Sequence, residues 1–235
     1  MDFSQKMRAH HIQNETSDFS NEQVLNILNG QVMYDEFKNQ KIMGNSEYAP
    51  FNEAMCINTA TSNIFSKEFI ETRAAGHNEL VDDYIDKVIS PLNPLFNNQY
   101  PCTVLWFGED MFCQMNLLTI LAYLEQSEYS GRVFLNSFKE DEFKVRQTEL
   151  VLGNYFIVYE DVLLNQKNTS VKVIPIMAEA IDLYSEMQKD DNPVMKYIEK
   201  NINLSTSELL ERLFALFPKI GYGDLQYKQL INKIK

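Results

Sequence analysis

Cysteine is scarce in this chain: Cys56, Cys102 and Cys113 are odd in number and widely spaced, with no CxxC pair. That excludes a disulfide framework or a structural zinc site, and two of the three sit in apolar strand or helix patterns that suit inert buried thiols. Glycine is scarce too, with eight in 235 residues, and they form neither a P-loop nor a GxGxxG fingerprint. No apolar run approaches the ~20 residues that a bilayer crossing needs. The first residues, MDFSQKMRAHHIQNETSDF, lack the apolar core of a signal peptide, so the expectation is a cytoplasmic protein with no membrane partner. Positive charge is in deficit as well. A net charge of −12 disfavours nucleic acid and anionic membranes as partners, because both are attracted by basic surface. The exception is residues 192–235, where seven Lys and Arg stand against four Asp and Glu.

What is present is the material of a folded core. A hydrophobic fraction of 45% with 12% aromatics is that of a globular protein, and 235 residues give one large domain, alone or with an appendage. The chain centres on TVLWFGEDMFCQMNLLTILAYLEQ, residues 103–126, which reads as buried strand, tight turn and buried helix. Residues 1–20 are polar and aperiodic and read as a mobile tail, with His10 and His11 as solvated tail residues. Residues 24–28 read as a strand ending in Asn29-Gly30, followed by a helix over 32–38. Pro50 keeps the next extended segment, which carries Asn52 and Glu53, out of a central strand position.

Ser66 reads as an N-cap, with Phe69 and Ile70 as apolar contacts and Arg73 projecting from its helix. A helix over 79–89 should bury Leu80, Val81, Tyr84, Ile85 and Val88 and leave Asp82, Asp83 and Asp86 in solvent. His77, near a helix end, reads as a cap or surface residue. Residues 132–137 form another strand, and 149–155 are ambiguous between strand and helix. Pro175, Pro193 and the Ser205–Glu208 capping box open C-terminal helices, and Asp224 turns into a last one. Alternating strand and helix units imply an α/β fold: a mostly parallel sheet flanked by helices, with a smaller all-helical C-terminal part. The expected boundaries are a tail at 1–20, an α/β domain at 21–170 and a helical subdomain at 171–235.

The blocks ILNGQVMYDEF, APFNEAMC, FSKEFIETR, LWFGEDMFCQMNLLTILAYLE and GYGDLQYKQLI resemble a bacterial family called domain of unknown function 1835. The likeness covers residues 24–140 and, more loosely, the helical end. It implies a strand ending in Asn-Gly-Asp, a Glu-containing segment, and a Trp-bearing strand leading into a long buried helix. Some members of that family are labelled transcriptional regulators. This chain departs from the pattern at Gln31, where the family has an acidic residue, and at Ile57-Asn58, where members carry Glu-Gly-Pro.

Ligands in open α/β sheets collect at the carboxyl ends of strands. The candidate ligand-binding residues are therefore Asn29, Gly30, Glu53, Arg73, Glu109 and Asp110, with Asn136 and Ser137 at a further strand end. Carboxylates gathered in one crevice could tune proton affinity for acid–base chemistry or hold magnesium. No histidine or nucleophile–base pair joins them, so the sequence assigns no catalytic residue, no metal set and no cofactor. A purely structural account has Asp110 capping its helix, Glu109 meeting the helix dipole and Glu53 paired with Arg73. Three functions stay open: a small-molecule or nucleotide-like ligand-binding domain with its site at the strand ends, a regulator binding DNA through its C-terminal helices, and a protein-interaction module.

Overall fold

The structure, a computed structural model, describes residues 23–97, 99–138 and 145–234. The expected tail at 1–20, with His10 and His11, lies outside them. Strand β1 (Val24–Leu28) leads through Asn29-Gly30 into helix α1 (Gln31–Gln40), then β2 (Glu47–Pro50). After a long irregular segment come α2 (Lys67–His77), α3 (Val81–Tyr84, continued by wider and tighter turns to Leu92) and α4 (Asn93–Phe96). Strand β3 (Cys102–Gly108), helix α5 (Met111–Gln126), β4 (Arg132–Phe138), β5 (Val145–Leu150) and α6 (Tyr155–Tyr159) follow. Four helices close the chain: α7 (Pro175–Met187), α8 (Pro193–Lys200), α9 (Thr206–Leu216) and α10 (Asp224–Ile234).

The five strands stand in the order β2-β1-β3-β4-β5, all pairs parallel except β4 with β5. The mixed α/β architecture with a mostly parallel sheet is thus as the strand patterns imply. β1 and β3 are buried at every position, as strands covered on both faces must be. Pro50, which cannot donate to a ladder, ends the edge strand β2. The alternation of side chains divides the core. Val24, Leu28, Val104, Trp106 and Phe134 face α1 and its Phe37, while Leu25, Ile27, Leu105, Phe107, Val133 and Leu135 face α5. Trp106 is 3% exposed, packs edge-on against Phe37 and donates Nε1–H to Asn26 Oδ1 at 2.9 Å. Buried residues of α7 to α10 belong to the same cluster as α5 and that sheet face.

Caps form where local sequence specifies them. Ser66 accepts from Phe69 N–H, Asp110 from Cys113 N–H, and Ser205 with Glu208 makes the capping box. The ambiguous stretch at 149–155 divides: Leu150 ends β5 and Tyr155 opens α6, whose first N–H groups bond to the Glu125 carboxylate of α5. The helix expected over 79–89 differs from its stripe. Leu80 is 73% exposed and Val81 39%, because Leu80 stands before the first turn and, of the stripe, only Tyr84 and Val88, four apart, are buried. No helix among the described residues is long and apolar enough to cross a membrane.

Candidate functional site

The strand order reverses at β1. The chain leaves β1 for β2 on one side and returns to β3 on the other, with α1 and α5 on opposite faces of the sheet. At such a switch point the helices diverge and leave a crevice outside the carboxyl ends of the two strands. Asn29-Gly30 and Gly108-Glu109-Asp110 end those strands, so the sequence places its candidate residues on both lips.

Asn29 fills the floor. Its backbone N–H extends the β1–β3 ladder to Trp106 O, its Nδ2 donates to Cys113 Sγ at 2.9 Å, and its Oδ1 accepts from Asn116 Nδ2 at 2.8 Å. Asn116, fully buried on α5, also donates to Glu53 O and accepts from Met55 N–H. Two of the partners of this buried amide are thus backbone groups of the segment after β2. It also ties the end of β1 to the segment carrying Glu53, a role that no local signal in the sequence marks. Burial and the neighbouring Asp110 charge push the Cys113 thiol well up, so it is a neutral hydrogen-bonding group and not a nucleophile.

Glu53 and Arg73 form a sealed unit. Arg73 is 0% exposed and uses all five of its N–H donors: Nε and one Nη2–H on Glu53, the other Nη2–H on Ala54 O, and Nη1 on the Ile57 and Thr59 carbonyls. It pins a segment that has no ladder of its own. Glu53 also accepts from Ala54 N–H, His77 Nε2 at 2.7 Å and the Tyr84 hydroxyl. Burial raises the proton affinity of Glu53, but the hydrogen bonds and charge of His77 and Arg73 outweigh it and hold the carboxyl well below the usual carboxylate range. Burial and the Glu53 charge push the Tyr84 hydroxyl far up. His77, read from sequence as a cap or surface residue, is instead a member of this unit. Because the Glu53 carboxylate can only accept, the proton between them belongs on Nε2, and Nδ1 lies 3.4 Å from the Asn58 amide nitrogen.

The three candidate carboxylates do not share one set of partners. Glu53 faces Arg73, Asp110 is spent on the Cys113 N–H, and Glu109 accepts from the Ser137 hydroxyl at 3.3 Å while its N–H extends the β3–β4 ladder to Phe138 O. No group of three or more His, Cys, Asp or Glu placed to hold a metal occurs among the described residues. Gly221, with φ 73°, lies against Asp110 so closely that a Cβ there would collide with the carboxylate, so the segment before α10 covers the first turn of α5.

The other lip is open. Gly30 has φ 97°, nothing lies within 4 Å of where its Cβ would be, and α1 has neither a side-chain cap nor an acidic residue in its first turn. The N–H groups of Gln31, Val32 and Met33 have no acceptor within the helix. Beside them Asn52 Nδ2 donates to Gln31 Oε1 at 2.9 Å and to Lys87 O at 3.0 Å, which leaves its buried Oδ1 without a partner. Gln114, 0% exposed on the first turns of α5, donates Nε2–H to Gly108 O at 2.7 Å, and its Oε1 is also unpartnered. That bond fixes the amide, since the reverse orientation would set two oxygens against each other.

A separate open groove of about 420 Å³ lies at the amino ends of β3 and β4, lined by residues that include Tyr100, Tyr129 and Arg132. Two of its polar side chains are paired: Tyr129 joins Thr103 to Tyr100 O, and Arg132 holds Glu149. No family model, curated protein or solved structure matches the chain.

Proposed function

We propose that the protein binds a small, anion-bearing ligand of the nucleotide or phosphorylated-metabolite kind at the carboxyl ends of β1 and β3. The observation that carries this reading is where three of the four unpartnered buried polar atoms among the described residues fall. Asn52 Oδ1 follows the end of β2, Gln114 Oε1 adjoins the end of β3 and Asn136 Nδ2 lies near the end of β4. Buried polar groups are nearly always hydrogen-bonded, so polar atoms left over at the ligand end of an α/β sheet mark an unfilled site.

The three free N–H groups at the start of α1, with the helix dipole behind them, favour an anion over a cation there. The carboxylates that would repel it are engaged elsewhere: Glu53 on Arg73, Asp110 on its own helix and Glu109 toward β4. Membership of the domain of unknown function 1835 family is proposed on the motifs given above. In that light the departure at Gln31 matters, because a neutral amide replaces an acidic residue in the first turn of α1.

Thermal-shift titration with inorganic phosphate, ribose phosphate and nucleoside monophosphates tests the reading, since a ligand of the native state raises its apparent stability. Val32 is 84% exposed, and Val32→Glu places a negative charge on the same N–H groups. The expected result is a rise in melting temperature for wild type that Val32→Glu abolishes while folding normally. No rise with any of the probes, or equal rises for both proteins, overturns the reading.

A further inference from the structure

The two edges of the sheet are unlike. β2 is four residues long and ends in Pro50, which has no N–H to offer, and α4 and the Ser90–Leu92 turn pack against it. β5 has six residues with no proline or glycine, and β4 is the one described element that it packs against extensively. In an antiparallel pair alternate residues turn their N–H and C=O groups away from the partner, so β5 presents a row of them at the end of the sheet. Among the described residues none of those groups enters a backbone hydrogen bond outside the ladder. Arg146, Thr148 and Glu149 are exposed, and Val151, just past the strand, is 87% exposed although most large aliphatic side chains here are buried.

We infer that β5 pairs with β5 of a second copy, antiparallel across a two-fold axis, so that two five-stranded sheets join into one. The strand's own sequence identifies the occupant. Residues directly opposite in such a pair share a face, and the axis keeps each face with itself, so it falls between one residue and its own copy. Arg146, Thr148 and Leu150 lie on the α5 face, and Val145, Gln147 and Glu149 on the other. With the axis at Thr148, that hydroxyl meets its own copy, the Gln147 amide meets the Glu149 carboxylate, Arg146 lays its stem over Leu150, and half-buried Val145 meets Val151. Every pair is compatible and no like charges stand opposite. An axis at Gln147 sets Val145 against the Glu149 carboxylate, and one at Arg146 or Glu149 sets like charges face to face. A strand so matched to itself favours a second copy over a foreign chain.

Light scattering and sedimentation of the full chain over a range of concentrations test the assignment. The expected mass is that of two chains, falling toward one on dilution. Thr148→Lys and Thr148→Glu each put like charges across the axis and should weaken the dimer about fivefold or more. An equimolar mixture of the two variants should recover it, because Lys then faces Glu. Val151→Lys changes a side chain outside the ladder and already in water, so it should weaken the dimer while leaving the fold, read by circular dichroism, unchanged. A monomer at every concentration overturns the inference, including one that binds a different protein through β5. So does a dimer that none of these variants weakens, which would rest on another surface. Weakening by both Thr148 variants without recovery in the mixture overturns the axis at Thr148 and the inference with it.

Discussion

Asn116 Nδ2 donates to Asn29 Oδ1 at 2.8 Å, joining the middle of α5 to the end of β1 across 87 positions of sequence. The same amide serves Glu53 O and Met55 N–H, so one fully buried side chain sets the spacing between β1, α5 and the segment after β2. Asn116→Leu would fill the volume but leave the Met55 N–H and the Glu53 carbonyl unpaired inside the protein. The expected loss is about 1–3 kcal/mol in urea-induced unfolding. An unchanged midpoint for Asn116→Leu would mean these groups reach water.

Arg73 and Glu53 should behave as a buried pair. Arg73→Leu leaves the Glu53 carboxylate, 6% exposed, without its main counter-charge, at an expected cost of roughly 3–5 kcal/mol. The double variant with Glu53→Leu should recover part of that, because no charge is then stranded. Arg73→Lys should resemble the deletion, since three donors cannot replace five in a fixed fork. The pair also has a pH signature. Glu53 is held below its ordinary value of 4.5, so its contribution is complete above that pH and is lost progressively as pH falls beneath it. Chemical denaturation between about pH 5 and pH 3 should therefore show a shallower acid loss for Glu53→Gln than for wild type.

The parts legible from sequence are those whose cause is local. Asp110, Ser66 and Ser205 cap helices because a short acceptor side chain sits before an apolar run, and the apolar stretches of β1, β3 and α5 follow from length and flanking turns. The ion pair of Glu53 with Arg73 also stood among the sequence alternatives. What stayed hidden depends on which distant groups meet. His77 carries no local sign that Tyr84 and Glu53 will surround it, and Asn116 reads as a polar blemish on an apolar helix until Asn29 arrives beneath it. Leu80 and Val81 fit a helical stripe, yet no element covers their side of the turn, and periodicity alone does not reveal that.

Glu125 provides a second test of long-range wiring. Its carboxylate accepts from the N–H groups of Gly153, Tyr155 and Phe156, and so caps α6 from α5. Glu125→Ala should cost ~1–2 kcal/mol, as loss of a helix cap does. Amide exchange should quicken at residues 153–156 more than in the sheet, and uniform quickening would mean that α6 is held by its apolar contacts alone.

Gly221 approaches Asp110 at the covered lip of the crevice, and two costs are superimposed there. Any side chain meets the φ of 73°, which costs an L-residue roughly 1–2 kcal/mol, and a Cβ in addition meets the Asp110 carboxylate. Gly221→Ala should therefore destabilise by more than the backbone cost. In an Asp110→Ala background the collision is gone, so the same substitution should cost only the backbone share, while Asp110→Ala itself removes the α5 cap. Thermal or urea unfolding of the four proteins forms a double-mutant cycle whose coupling measures the contact. A coupling near zero would show that the segment before α10 shifts aside freely, and the lip it covers would then count as open along with the one at α1.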